Sequence, residues 1–434
     1  MKFHRFHRRA SHVVFILAEL GFYFLLFSLP LFRGAVYPVE RILFSFGFFG
    51  CWVLVEIGSY FRNGCFFHHF DFRRLHSFFP LVLLVSIWLH TLLISSRVEE
   101  SMIRAWDMTS LFLIFQVTKD LFRDGFRRKR FFQFILIAAF FYTLLGWSHS
   151  MGWLAHSWWE TPDFNSGPFV NHNHFAGFLC LLIFPILGSI LAQRSRYLLH
   201  LGVFWLAVFC LLLLTLSRGA WISFFITFFL MGILLYGESS LRTLGKYLIL
   251  GLVGSLLGFV IFIGSGINPK VTQRAQSMFA VEGKFEFFDF RVKLWASTIE
   301  AIKHKPLLGY GLGAFEWEMR PFRKKGFEFA FDYAHNDWLQ YAMELGLLLS
   351  LIIALYVIKI LKDGLRRFYS PDLHEFRFEE LGLMAAIVCL LIHSLVDFNL
   401  NIFGNTSFFV AFLGLVATVV HSGQAKRDNS KRLA

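Results

Sequence analysis

The sequence predicts an all-α, polytopic membrane protein with about 12 transmembrane helices. Three observations carry this. Of 434 residues, 56% are hydrophobic and 16% charged, against roughly 25% charged in an ordinary soluble domain. Apolar runs recur along the whole chain, and many reach the roughly 18 to 20 residues that cross a bilayer core as a helix. The segments between the runs alternate in basic content. The hydrocarbon offers the backbone no water, so each run is expected to be helical, and the alternating pattern of an outer-membrane barrel is absent.

Spans are expected near 11–32, 39–60, 77–96, 102–122, 131–150, 173–192, 199–216, 219–236, 247–267, 336–361, 381–400 and 405–421. MKFHRFHRRA resembles the start of a signal peptide, but no small-residue cleavage site follows it, so the first run reads as an uncleaved helix. Basic residues gather in one set of connections, including Arg62, Lys119, Arg123, Arg127, Arg128, Arg242, Arg366 and Arg367, and at both ends of the chain. The positive-inside rule puts that set, with both termini, in the cytoplasm, which requires an even number of spans. The net charge of +13 is thus read as membrane orientation, and no nucleic-acid partner is expected. The five cysteines form no CxxC pair, so neither a disulfide nor a zinc site is expected.

The whole chain, 1–434, reads as a single membrane domain. Two segments on the non-cytoplasmic side are long. One, about 150–172, is rich in Trp (Trp153, Trp158, Trp159). The other, 268–335, lies between the ninth and tenth spans and is basic, with Arg274, Arg291, Arg320, Lys324 and Lys325 among its cations. Phe287, Arg291, Leu294, Trp295, Thr298 and Ile302 recur at helical spacing, which predicts a helix over about 286–304.

Five constellations could carry chemistry. In TLSRGAW, Arg218 sits at the turn joining two apolar runs, where an ionisable group is a functional candidate or a snorkelling cation at a helix end. Arg291 lies on the loop helix, where a solvated charge is the plainer reading. HKPLLGYGLGAFEW places Gly309, Gly311 and Gly313 so that backbone amides can approach a phosphate; it lacks the Lys-Ser/Thr of a nucleotide-binding loop. Paired with it in the same constellation is YAHNDWLQYAMELG, whose His335 and Asn336 open a span, where the His suits proton transfer or helix capping. FVNHNHFAGFL carries His172 and His174, which point in different directions on a helix and are not expected to bind metal. HSLVDFNLNIFGN carries His393, Asp397, Asn399, Asn401 and Asn405, which either bind a sugar or pair inside the bundle. All five fall on the same, non-cytoplasmic face of the expected topology. Two Arg, a His and amide groups suit a phosphorylated, hydroxyl-rich substrate, and Asn336, His172, His174, Gly311, Gly313 and Asp397 are its candidate contacts.

SRGAW at a span junction, Arg-x-x-x-Trp before HKPLLGYGLGAF, and AHNDWLQYAMELG at the next span together resemble the O-antigen ligase/polymerase superfamily, best over about 165–410. The resemblance implies a GT-C-like glycosyltransferase of the bacterial inner membrane, metal-independent, inverting and without cofactor. Its donor would be an undecaprenyl-diphosphate-linked glycan on the periplasmic face. Its acceptor would be a hydroxyl of lipid A core, of a growing glycan or of a protein. Carried over by motif, Arg218 and Arg291 would hold the diphosphate, with Arg274 and Arg320 as substitutes for Arg291, and His335 would assist attack by the acceptor. Two other classes are weighed against this. A transporter or flippase of an anionic lipid or solute would show paired repeats and charges near the midplane, and a scaffold of an export complex would tolerate substitution of every residue named.

Overall fold

The computed structural model describes residues 2–66, 75–153, 165–192, 197–265, 269, 272–273, 286–323, 331–370 and 375–433. Trp158, Trp159, Arg274, Lys324 and Lys325 lie outside them. The longer helices are α1 (Lys2–Leu31), α2 (Pro38–Asn63), α3 (Leu75–Leu93), α4 (Val98–Leu121), α5 (Gly125–Ser150), α6 (His172–Ala192), α7 (Leu198–Leu214), α8 (Arg218–Gly237) and α9 (Arg242–Ser265). There follow α10 (Glu286–His304), the short α11 (Phe315–Glu318), α12 (Asp337–Glu344), α13 (Gly346–Phe368), α14 (Arg377–His393) and α15 (Phe403–Leu433). No strand occurs among the described residues. Every apolar run thus meets a helix, and α10 falls where periodicity predicts it.

Local chemistry explains the boundaries. Pro38 starts α2, where its missing N–H costs nothing, and Gly64 ends it in the left-handed region (φ 75°), its N–H donating to Tyr60 O at 2.8 Å. Among the described residues, five helices are long and apolar enough to cross a membrane by length and composition: Arg9–Leu31 within α1, then α2, α5, α6 and α8. The chain is therefore an all-helical membrane protein. The windows of four of these are 44–50% buried, that of α6 83%, which makes α6 an interior helix.

One expected span is corrected. The run 336–361 is not one helix but two, broken at Leu345 and Gly346. Gly346 has φ 74°, and the backbone of Gly309 crosses so closely that a Cβ on Gly309 would lie 2.5 Å from the Gly346 nitrogen. Only glycine allows that crossing. Leu347 N–H donates to Pro306 O at 2.8 Å and Tyr310 N–H to Met343 O at 3.1 Å. The glycine loop thus takes up carbonyls that the end of α12 leaves open.

The chain forms two compact units. The first comprises Met1–Phe131, Phe288–Asp363 and Leu400–Ala434. In it α1 packs on α2, and α4 packs on α2, α3 and α15. The second comprises Phe132–Phe287 and Gly364–Asn399. There α6 packs on α14 and α7, and α8 on α9 and α14. Gly188 of α6 and Gly382 of α14 let those two helices meet at backbone distance: a Cβ on Gly382 would lie 2.5 Å from Phe184 O. Small residues are the usual means of close packing between membrane helices.

Candidate active site

In the second unit, Thr215–Arg218 joins α7 to α8. Leu216 there is left-handed (φ 60°), a conformation that a side-chain-bearing residue adopts only when its surroundings hold it. Three polar groups do so. Thr215 Oγ1 donates to Leu212 O at 2.6 Å. His172 Nδ1 lies 2.7 Å from Thr215 O; a carbonyl only accepts, so Nδ1 carries the proton. His393, fully buried, has Nε2 3.5 Å from Ser217 Oγ and Nδ1 3.1 Å from Asn399 Nδ2. The amide Nδ2 is a donor, so Nδ1 accepts and Nε2–H faces the serine. His393 therefore holds Ser217 rather than activating it. Arg218 follows as the first, half-buried residue of α8.

The two other polar stretches of this unit meet each other. His174 is buried with its ring 4.7 Å from that of Phe398, edge-on. Asp397 is buried and accepts the N–H of Phe398 at 2.8 Å. Asn399 packs against Gly177. Of the two readings open for these groups, His393 and Asn399 show pairing inside the bundle. His172 and His174 reach different partners, and among the described residues no three His, Cys, Asp or Glu side chains gather as a metal ion requires.

In the first unit, α10 buries Leu294, Thr298, Ala301 and Ile302 and exposes Lys293, Glu300 and Lys303. Its inner face shares a core with Tyr310, Phe315, Met319, Ala334 and Met343. Arg291 stands on this helix next to Phe290, whose ring packs on Phe331 at 4.4 Å and on His335 at 6.3 Å. His335 is itself left-handed (φ 50°). The turn around it is tied down on both sides. Trp295 Nε1–H donates to Ala334 O at 3.0 Å, Ala334 N–H donates to Gln340 Oε1 at 3.0 Å, and Asn336 Oδ1 caps α12 by accepting Leu339 N–H at 3.1 Å. Burial, and then the positive charge of Arg291, push the His335 imidazole down to about 4. It is therefore neutral at neutral pH.

The glycine run has a definite occupant. Gly311 N–H donates to Glu344 O at 2.8 Å, while the Glu344 carboxylate takes the N–H groups of Gly313 and Phe315 and Nε2 of Gln340. The group cradled by these amides is the side chain of the protein's own Glu344. Arg320 pairs with Glu316 at 3.3 Å and stacks on Trp317 at 3.9 Å.

Sequence reasoning missed a buried group in the same unit. Asp107 accepts from Arg41 NH1 at 2.7 Å and lies 3.6 Å from Arg104 NH1, and Arg104 NH2 donates to Tyr333 OH at 2.8 Å. Asp337 likewise receives Leu400 N–H and Asn401 Nδ2, each at 2.7 Å. The only sequence signal was an Asp and two Arg inside apolar runs.

No curated protein matches the chain significantly. Residues 202–354, a stretch that holds Arg218, Arg291 and His335, match the family model described as O-antigen ligase, which supports the resemblance to the O-antigen ligase/polymerase superfamily.

Proposed function

We propose that this protein is a membrane glycosyltransferase of surface polysaccharide synthesis, moving a glycan from an undecaprenyl-diphosphate donor to an acceptor hydroxyl at the periplasmic face of the bacterial inner membrane. Supporting it is one observation: a half-buried His335, held left-handed against Phe290 on the helix that carries Arg291, inside the region that matches the O-antigen ligases. The proposed topology has 12 spans, cytoplasmic termini and the 268–335 segment outside, on a GT-C-like frame.

In this reading the acceptor oxygen attacks the anomeric carbon with inversion as the bond to the diphosphate breaks. The hydroxyl proton passes to the His335 imidazole. The diphosphate leaves as an anion, and guanidinium groups, assigned by motif to Arg291 and Arg218, stabilise the charge that develops. A diphosphate needs little acid assistance, so the proton-transfer group serves the acceptor. An imidazole with a pKa near 4 is a weak base. A diphosphate beside Arg291 offsets the positive charge there and raises the imidazole's proton affinity, so donor binding readies the base.

The test is chromosomal Arg218→Ala and His335→Ala in the producing bacterium. Loss of surface polysaccharide at normal protein level is expected, and unchanged polysaccharide would remove the roles assigned. A purified chain that carried a lipid-linked anion across vesicles without transferring sugar would replace this reading with a transporter.

A further inference from the structure

We infer that Arg104 is a positioning residue: anchored through Asp107 to Arg41, it holds Tyr333 and thereby fixes the turn that aims the imidazole of His335. The inference rests on the reading of His335 just given. It starts from the backbone. His335 is held in the left-handed region by restraints on the residues around it, and three of these come from α10 and α12 themselves, through Trp295, Gln340 and Asn336. The fourth comes from a distant part of the sequence. Tyr333 OH accepts from Arg104 NH2 at 2.8 Å, across 229 residues, and the guanidinium carbon lies 5.7 Å from the centre of the Tyr333 ring.

Arg104 is suited to this task because it is itself anchored. Its NH1 faces Asp107 at 3.6 Å, and Asp107 is held by Arg41 at 2.7 Å, with the side chains of Arg41 and Asp107 each only 8% exposed. A planar guanidinium presents donors in fixed directions, so one pinned by a carboxylate aims its remaining N–H groups. One carboxylate between two cations leaves Arg104 donor capacity for a neutral acceptor, and the phenol oxygen fills it. A lysine at this position carries the charge but no fork with which to bridge Asp107 and Tyr333.

The test uses the full chain in lipid nanodiscs, with Tyr333→Phe, Arg104→Lys and His335→Ala. Hydrogen–deuterium exchange reads the order of the 331–336 turn without reference to activity. Transfer from an undecaprenyl-diphosphate-linked oligosaccharide, extracted from the producing strain with the ligase-like gene deleted, reads kcat and KM. Tyr333→Phe is expected to speed exchange in the turn, to leave exchange in α10 unchanged, and to lower kcat roughly 10- to 100-fold with the donor KM within about twofold. Arg104→Lys should behave alike, since a lysine that pairs with Asp107 leaves the Tyr333 hydroxyl unheld. Unchanged exchange in the turn, or faster exchange with native kcat, overturns the inference. If Arg104→Lys fails to fold, Tyr333→Phe decides alone. Full activity of His335→Ala overturns the reading of His335 instead, and the exchange arm still reports whether Arg104 orders the turn.

Discussion

The Arg218 turn and the His335 turn solve one problem in two ways. Each holds a side-chain-bearing residue in the left-handed region, Leu216 at φ 60° and His335 at φ 50°. In the second unit the strained residue is a buried leucine two positions before Arg218, and its anchors are neutral: Thr215, His172 and His393. In the first unit the strained residue is the candidate proton acceptor itself, and part of its anchorage is ionic: Arg41, Asp107 and Arg104. Side-chain length accounts for the difference. A guanidinium on a three-carbon stem reaches its target from a backbone fixed nearby. An imidazole is one carbon from the backbone, so the backbone beneath it has to be set.

The strongest way to break this comparison is Asp107→Asn. Removing one partner of a buried ion pair costs about 3–5 kcal/mol, because the remaining charge stays buried and uncompensated; here two guanidinium groups would remain. A large fall in the midpoint of thermal unfolding, followed by tryptophan fluorescence in detergent, is the expected result. A midpoint within a degree or two of the native value would show that the ionic anchor is dispensable.

His393→Ala probes the neutral anchor. It deprives Ser217 and Asn399 of their shared partner in a buried site, an effect of about 1–3 kcal/mol. The fall in the unfolding midpoint should therefore be smaller than for Asp107→Asn. His393→Gln offers polar atoms in nearly the same volume and should recover part of the loss. A loss from His393→Ala as large as that from Asp107→Asn would erase the distinction between the two anchors.

Much of the fold was legible because hydropathy is a property of contiguous residues. Each apolar run met a helix, and the period of Phe287 to Ile302 gave α10. The break at Leu345 and Gly346 was not legible, since LGLLLSLII reads as unbroken helix; it becomes visible only when Gly309 crosses behind it. The glycine spacing was visible, but its occupant, Glu344, lies more than 30 positions further along the chain. The same holds for the ionic anchor: Arg41, Asp107 and Tyr333 belong to three separate segments, and pattern alone does not pair them. Of the candidate site, motif order singled out Arg291 and His335, and the fold sets Phe290, next to Arg291, against the His335 ring. The polar groups of HSLVDFNLN were equally visible, yet their pairing with Ser217 and Gly177 is a matter of packing.

The finest test concerns charge rather than anchorage. The folded-state pKa of His335, about 4, lies below its ordinary value of 6.5. Between those values the unfolded chain takes up a proton that the folded protein refuses, so this residue's contribution to stability is present above pH 6.5 and is lost as pH falls toward 4. Activity follows the same logic. The free enzyme keeps a neutral imidazole through the neutral range, and the acid limb of kcat/KM should fall near pH 4. Burial is the larger cause of the depression and Arg291 the smaller. Arg291→Gln should therefore lower the rate and also move the acid limb upward, by less than the full distance to 6.5. A limb that stayed in place would mean that Arg291 does not act on His335. The first unit would then hold its histidine by geometry alone, as the second unit holds its arginine.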